Sequence, residues 1–381
     1  MQDNSLNRIL KRGLLPSGKP LSRILHMFQL TYSNHNFRSH EDFEVEAVGF
    51  PFFAKAGIQF CKDWLSGQNN FLQQTSGSTG SPKTLEVSRS QMIASAQATQ
   101  AFFQTNDETT LLCCLDPSYI AGKMMLVRAM VWNARIELIE PRSNPLLRST
   151  EIPDFVAMVP LQVETCMQDR TTLEKLKKIK HLIIGGAPIS SGLREQLIEN
   201  GIHAYQTYGM TETVSHIALA KIEKGELLYR MLPNVEFGVD ERKALWIKSP
   251  SSNNQLIQTN DQVELIAQNS FRWHGRVDFV INSGGVKLHP EQLERKAEKT
   301  IHGFYPYSSF FFFGMKDVRL GEKLCLAIES TDEDIEQSIQ LRKALAAVME
   351  KYEVPKNTFI VPAFSKTASG KVNRPKTIER L

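Results

Sequence analysis

Between residues 110 and 205 the chain repeats one kind of unit, and that repetition limits what it can fold into more than any other feature. Thr110 to Leu115, Ala134 to Ile139, Phe155 to Val159 and His181 to Ile184 are short apolar runs bounded by polar or turn-forming residues. Helical spacing follows them, most clearly over Gly122 to Trp132. Short apolar strands alternating with helices form a parallel α/β sheet, because a parallel connection needs a crossover long enough to cover one face. Ligands in such sheets bind beyond the carboxyl ends of the strands. The loops after Leu115, Val159, Ile184 and Tyr205 are therefore where chemistry is expected.

Upstream lies Thr75-Ser76-Gly77-Ser78-Thr79-Gly80-Ser81-Pro82-Lys83-Thr84, with two glycines, a lysine and several hydroxyls in ten positions. Hydroxyl donors on a backbone free to fold closely suit a phosphate. A Walker A loop is excluded, since that pattern needs Gly-Lys-Ser/Thr leading straight into a helix, whereas here Pro82 precedes Lys83. Proline biases Ser81 away from helical angles and removes a donor. Taken alone, such a run reads equally as a flexible linker.

Length and composition bound the rest. A chain of 381 residues exceeds one simple core, so two domains are expected. There is no run of about 18 apolar residues, the reach of a membrane span, and the start lacks a signal-peptide core. A cytoplasmic protein is the expectation. Five scattered cysteines form no Cys-x-x-Cys pair, so buried reduced thiols are expected rather than zinc ligands or a disulfide framework. A net charge of +4 spread along the chain gives no footprint for nucleic acid. In the first 70 residues, Asp42 to Val48 alternates like a strand and Ala54 to Leu65 has helical spacing.

Four further stretches complete the pattern. Gly185-Gly186-Ala187-Pro188 follows the His181 to Ile184 run. Tyr205 to Thr213 contains Tyr208-Gly209-Met210-Thr211-Glu212. Residues 225 to 275 hold short alternating runs, an antiparallel β unit, with Thr259-Asn260-Asp261 inside it and Gly275-Arg276-Val277-Asp278 through Glu291 after it. The remaining residues read as a compact α+β unit: strands near Ser309 to Phe313 and Lys323 to Glu329, a helix over Ile335 to Met349, and a tail with Ser365-Lys366-Thr367-Ala368-Ser369-Gly370-Lys371-Val372-Asn373-Arg374.

Taken in order, these stretches resemble the adenylate-forming enzymes: acyl-CoA synthetases, peptide-synthetase adenylation domains and luciferases. Their phosphate loop is Thr-Ser-Gly-Ser/Thr-Thr-Gly-x-Pro-Lys, and the likeness covers roughly residues 72 to 381. Asn260 stands where the family has glycine, and Ser365 where it has proline; asparagine tolerates the positive φ of a turn. The resemblance implies a large domain over residues 1–277, built of parallel α/β layers with a small β unit and a shortened N-terminal region. A small, hinged, mobile α+β domain would span residues 278–381.

It also implies roles. Thr75, Ser76, Gly77, Ser78, Thr79, Gly80 and Lys83 would hold the ATP phosphates. Gly185, Gly186, Ala187, Pro188, Tyr208, Gly209, Asp261 and Arg276 would border adenine and ribose. Thr211, Glu212 and Lys371 would be catalytic, with Glu212 the Mg²⁺ ligand. Asp278 would be the hinge, and Ser283, Gly284 and Gly285 the channel for coenzyme A. A carboxylic acid, ATP and coenzyme A would be the substrates, the acid first becoming an acyl-adenylate and then a thioester.

Within the family, Asn282 to Glu294 and Met158-Val159-Pro160-Leu161-Gln162 are most similar to the o-succinylbenzoate–CoA ligases of menaquinone biosynthesis. That acid carries a second carboxylate, so its pocket needs a cation or strong donors. Tyr119, Lys123, Ser215 and His216 are the candidates. Lys123 and Arg128 sit five apart, about 140° around a helix, and cannot face one pocket together; Lys123, next to the glycine that opens the helix, is preferred. A different acid, a carrier-protein thiol, or a nucleotide-binding module without catalysis are alternatives.

Overall fold

The computed structural model describes residues 28–44, 49–74, 84–332, 334–366 and 372–381. The phosphate loop, residues 75–83, and Lys371 lie outside them. The chain opens on a hairpin, β1 (Gln29–Tyr32) and β2 (His35–Phe37), followed by α1 (Phe52–Leu65), β3 (Asn70–Gln74), β4 (Thr84–Ser88) and α2 (Arg89–Phe103). Then come β5 (Thr110–Cys113), α3 (Ile120–Trp132), β6 (Arg135–Leu138), β7 (Phe155–Met158), α4 (Pro160–Gln168), α5 (Arg170–Leu176), β8 (His181–Ile184), α6 (Ser191–Glu199) and β9 (Ala204–Gly209). These are the strand–helix units the apolar runs imply.

Strands β9-β8-β7-β5-β6-β1 pair in parallel. Both faces are covered, which is why the strands are apolar throughout: Phe155, Val156, Ala157 and Met158 are all buried. Helix α3 is enclosed almost all round, with Met124 to Met130 buried in sequence. A helix apolar on every side is an internal one, and its single buried cation, Arg128, matters below.

Beyond β9 the sheet turns antiparallel without a break. β10 (His216–Lys221), β11 (Tyr229–Met231), β12 (Glu236–Val239), β13 (Ala244–Lys248), β14 (Leu256–Ala267) and β15 (Ser270–Arg276) extend it in the order β12-β13-β14-β15-β11-β10-β9. The antiparallel unit expected over 225–275 is thus one wing of a thirteen-stranded sheet rather than a separate block.

After a single turn at Val277–Phe279 a second sheet begins: β16 (Ile281–Ser283), β17 (Val286–Leu288), α7 (Pro290–Phe304), β18 (Phe310–Asp317), β19 (Gly321–Glu329), α8 (Ile335–Val348), β20 (Asn357–Val361) and α9 (Arg374–Ile378). Phe312 packs on one face of this sheet with Leu293 and Leu326, while Phe311 and Phe313 pack on the other with Phe364. That explains the run of aromatics in β18. The whole is an α/β large domain followed by a small α+β domain.

Three local expectations are corrected. Asp42 to Val48, expected as a strand, begins inside a 3₁₀ turn, His40–Glu44, because the Asp42 carboxylate accepts the Ser39 and Arg38 amides at 2.8 and 2.7 Å; residues 45–48 lie outside the described residues. Tyr205 is not followed by a loop, since β9 continues to Gly209. Thr259-Asn260-Asp261 is not a turn but the middle of β14, and Asn260 has no positive φ. All five cysteines are free and buried, as expected.

Candidate active site

β3 and β4 are antiparallel partners with Gln74 opposite Thr84. The two ends of the hydroxyl-rich run are therefore fixed side by side, although the run itself lies outside the described residues. Arg89, the first residue of α2, stacks 4.2 Å over the Trp64 ring and donates to the Trp64 carbonyl at 2.7 Å, tying the start of α2 to α1. A capping box of Ser88 and Gln91 then starts α2.

At the carboxyl ends of the parallel strands the expected residues converge. Met158 is opposite Ile184, and Ile184 opposite Gln206, so Gly185-Gly186-Ala187-Pro188 emerges between the ends of β7 and β9. Gln162 anchors this edge: its side chain accepts the Val159 amide and donates to the Cys114 and Arg142 carbonyls. Next to it β9 ends at Gly209, opposite His216 on β10. A Cβ on Gly209 would lie 2.4 Å from the Ser215 carbonyl oxygen, so glycine is required there by space rather than by φ.

The hairpin between β9 and β10 carries Thr211 and Glu212 on a single 3₁₀ turn. Glu212 is exposed and makes no hydrogen bond or ion pair among the described residues. Val214 follows at φ 66° and ψ −50°, with the Ser215 amide donating to the Thr213 carbonyl at 2.7 Å. This is a γ-turn of the strained hand, held by a fully buried β-branched side chain. It aims Ser215 inward.

Asp261 and Arg276 face each other across β14 and β15. The Asp261 carboxylate accepts the Tyr208 hydroxyl at 2.6 Å and the Trp273 indole N–H at 3.1 Å, one on each oxygen. Each oxygen keeps acceptor capacity, so a diol can still be bound. Burial and Asp261 push the Tyr208 hydroxyl well above its ordinary value, making it a permanent donor. The Tyr208 ring is packed edge-on against Phe271 and Tyr229. Arg276 is held by Asp278 through two bonds, 3.0 and 2.9 Å, and the bond raises its pKa. The expected nucleotide residue and the expected hinge residue are thus directly paired.

Among the four acid-pocket candidates the structure separates two pairs. Ser215 and His216 lie together. Tyr119, at the N-cap of α3, is 63% exposed, and the Lys123 ammonium lies 5.9 Å over the Phe60 ring, toward α1. The cation beside Ser215 and His216 is instead Arg128, whose Nη2 donates to Ser215 Oγ at 3.0 Å. Arg128 is 2% exposed, pairs with no carboxylate among the described residues, and leaves Nε without a partner. Burial pushes it down to about 10, which leaves it charged at neutral pH. The spacing argument holds: the two cations face different ways. Trp273 was not anticipated; its signal was the alternation Phe271, Trp273 on the strand paired with Asp261.

Ser283 and Val286 close a two-residue hairpin whose central Gly284 and Gly285 have φ of 59° and 84°. Two positive angles in succession make a type I′ turn, which needs such residues. Between the two domains, Glu298 on α7 accepts the Ser191 amide and hydroxyl at 2.9 and 2.6 Å, and Gln292 bonds His274 at 2.9 Å.

A parallel α/β sheet continued by an antiparallel wing, with a small α+β domain docked on it, is the architecture of the adenylate-forming class. The family model for AMP-binding enzymes matches residues 53–244, and the chain belongs to that family. It is an adenylate-forming CoA ligase and depends on ATP. The curated relatives include the 2-succinylbenzoate–CoA ligases of Enterococcus faecalis, 24% identical over 333 residues, and Escherichia coli, 24% over 314. Each alignment takes in 79% of this chain and 67% or 66% of the relative, so the chain spans about two thirds of their length. Among solved structures, an acyl-CoA synthetase (AMP-forming)/AMP-acid ligase II-like protein from Dyadobacter fermentans is 36% identical, with a TM-score of 0.59 over 90% of this chain and 98% of that one. The fold is shared with o-succinylbenzoate CoA synthetase from Bacillus subtilis bound to its acyl-adenylate, at 20% identity and a TM-score of 0.68 over 80% of this chain and 68% of that one.

Proposed function

We propose that the enzyme activates o-succinylbenzoate and transfers it to coenzyme A, a step of menaquinone biosynthesis in the cytoplasm. The observation that carries the substrate is Arg128. A buried guanidinium with no acidic partner is expensive unless something anionic completes it. A substrate with one carboxylate to activate and another to leave ionised supplies that partner. The relatives' name, 2-succinylbenzoate–CoA ligase, agrees in chemistry.

In the first step a carboxylate oxygen of the acid attacks the α-phosphorus of ATP and pyrophosphate leaves. Thr75, Ser76, Gly77, Ser78, Thr79, Gly80 and Lys83 would bind the phosphates, Lys371 would offset charge on the α-phosphate, and the Thr211 hydroxyl would donate to it. Asp261 would accept the ribose hydroxyls, with Tyr208 and Trp273 holding its carboxylate in place. Glu212 would hold Mg²⁺: its carboxylate is exposed and makes no hydrogen bond or ion pair among the described residues. That suits an ion held by one carboxylate, waters and the nucleotide's own phosphates. When bound, it would neutralise charge on the phosphate oxygens.

In the second step the coenzyme A thiol attacks the acyl carbon and AMP leaves, with the proton of the thiol lost to solvent. Residues 1–277 and 278–381 would be the moving parts, with Asp278 the hinge and Ser283-Gly284-Gly285 the wall of the thiol channel. The test is formation of AMP and acyl-CoA from ATP, Mg²⁺ and coenzyme A with o-succinylbenzoate, acetate, benzoate and a medium-chain fatty acid. Turnover confined to o-succinylbenzoate and lost in Lys371→Ala is the expected result. Turnover with a different acid, or only with a carrier-bound thiol, would replace the substrate, and none with any acid would leave a nucleotide-binding module.

A further inference from the structure

The anion receptor does not stand alone. Behind Ser215 a line of polar groups runs through the core to α2, and each member fixes the next. Thr99 on α2 donates its hydroxyl hydrogen to the Ser95 carbonyl at 3.0 Å. A hydroxyl has one hydrogen, so toward His216 Nε2, 3.1 Å away, Thr99 Oγ1 is an acceptor. His216 must therefore carry its proton on Nε2. Its Nδ1 then has a lone pair, which faces Ser215 Oγ at 3.4 Å and Arg128 Nη2 at 3.5 Å. The other end requires the same arrangement, because a guanidinium offers only donors. Thr99 and Arg128 are buried, His216 likewise, and burial together with Arg128 keeps the imidazole neutral.

We propose that Thr99 and His216 are positioning residues for substrate specificity: Thr99 selects the Nε2–H tautomer of His216, which orients Ser215 and thereby fixes the Arg128 guanidinium, whose Nε has no partner among the described residues and whose Nη1 meets only the Met125 sulfur at 3.5 Å, to receive an anionic carboxylate of the acid. The proposal rests on the two-carboxylate reading above. Neither Thr99 nor His216 touches the reacting atoms. The opposite tautomer would place an N–H against the Ser215–Arg128 pair, turning Arg128 away from the geometry that receives the anion.

The experiment compares kcat/KM for o-succinylbenzoate with that for its two monoacid analogues, 4-oxo-4-phenylbutanoate and 2-butanoylbenzoate, each lacking one carboxylate. In the wild-type enzyme the diacid is preferred over the better analogue by roughly 10- to 100-fold, the scale of one charge-assisted hydrogen-bonded pair. Thr99→Val, nearly isosteric, lowers that ratio at least tenfold through a higher KM for the diacid, with ATP binding unchanged. Thr99→Ser restores the acceptor and brings the ratio back. Independently of activity, ¹⁵N NMR of the folded wild-type protein shows His216 protonated on Nε2 and bare on Nδ1 at pH 7. A wild-type ratio retained in Thr99→Val, or a proton on Nδ1, overturns the inference and leaves the substrate reading standing. A wild-type enzyme that treats diacid and monoacid alike overturns both.

Discussion

A charged side chain buried in an otherwise apolar helix costs stability unless a partner completes it. Arg128 is the clearest instance, because breaking or omitting a partner for a buried ion costs several kcal/mol, whereas an apolar residue of similar size costs little. Arg128→Met is therefore expected to keep or raise the melting temperature of the ligand-free protein while lowering kcat/KM for o-succinylbenzoate by about 100-fold. A variant that melts far below wild type would show the guanidinium to be structural. Lys123→Ala, on the far side of the same helix, should leave that kinetic constant within about twofold. From the sequence the angular separation of the two cations was legible. Which one lies beside Ser215 and His216 was not, because that depends on how α3 is rotated between the sheet and α1. The same limit applied to Asn260, whose neighbours made it resemble a turn residue although pairing with β15 keeps it in a strand.

Elements were more legible than residues. The buried parallel strands read as unbroken apolar runs because both of their faces are covered, and α2 was marked by Ser88 and Gln91 at capping-box spacing. The 3₁₀ turn at His40–Glu44 carried the same kind of signal, Ser39 three residues before Asp42, hidden under an alternation that looked like a strand. Close approach between β9 and β10 makes Gly209→Ala a sharp test: the added methyl collides with the backbone of Ser215 and His216. A loss of about 1–3 kcal/mol in stability is expected from denaturant unfolding, together with a fall of at least tenfold in activity. In the small domain, Glu294 joins α7 to β18 by accepting the Phe312 amide at 3.0 Å and the Arg374 guanidinium at 2.7 Å. Burial, opposed by Arg374, raises this carboxyl to about 7. Because the folded value exceeds the unfolded one near 4.3, the folded state holds a proton that the unfolded chain releases, and this contribution to stability is lost as pH rises through 7. Relative to Glu294→Gln, wild type should lose unfolding free energy between pH 5 and pH 8; a difference independent of pH would contradict that assignment.

At the scale of the molecule, two sheets meet at Val277–Phe279, and the docking of one on the other runs through a few polar contacts. Glu298 sits at the amino end of α6, where its charge also meets the positive end of the helix. Removing it in Glu298→Ala should increase the rate of tryptic cleavage between the domains several-fold without changing the melting temperature of the large domain, and an unchanged rate would show that the hinge is held elsewhere. Arg276 and Asp278 are paired, so a ribose or phosphate that took Arg276 would remove the partner of Asp278, and nucleotide binding would then act on the proposed hinge. The order of the motifs made the two-part organisation legible in the sequence. The contacts that dock the parts, Glu298 to Ser191 and Gln292 to His274, carry no local pattern and could only be seen in three dimensions. The most direct test of the central claim is acid-dependent exchange of labelled pyrophosphate into ATP, with coenzyme A withheld so that only the first step is read. Exchange that needs o-succinylbenzoate, exceeds that with either monoacid analogue, and collapses in Arg128→Met is the expected result; exchange equally supported by an acid with a single carboxylate, or unaffected by Arg128→Met, would contradict it.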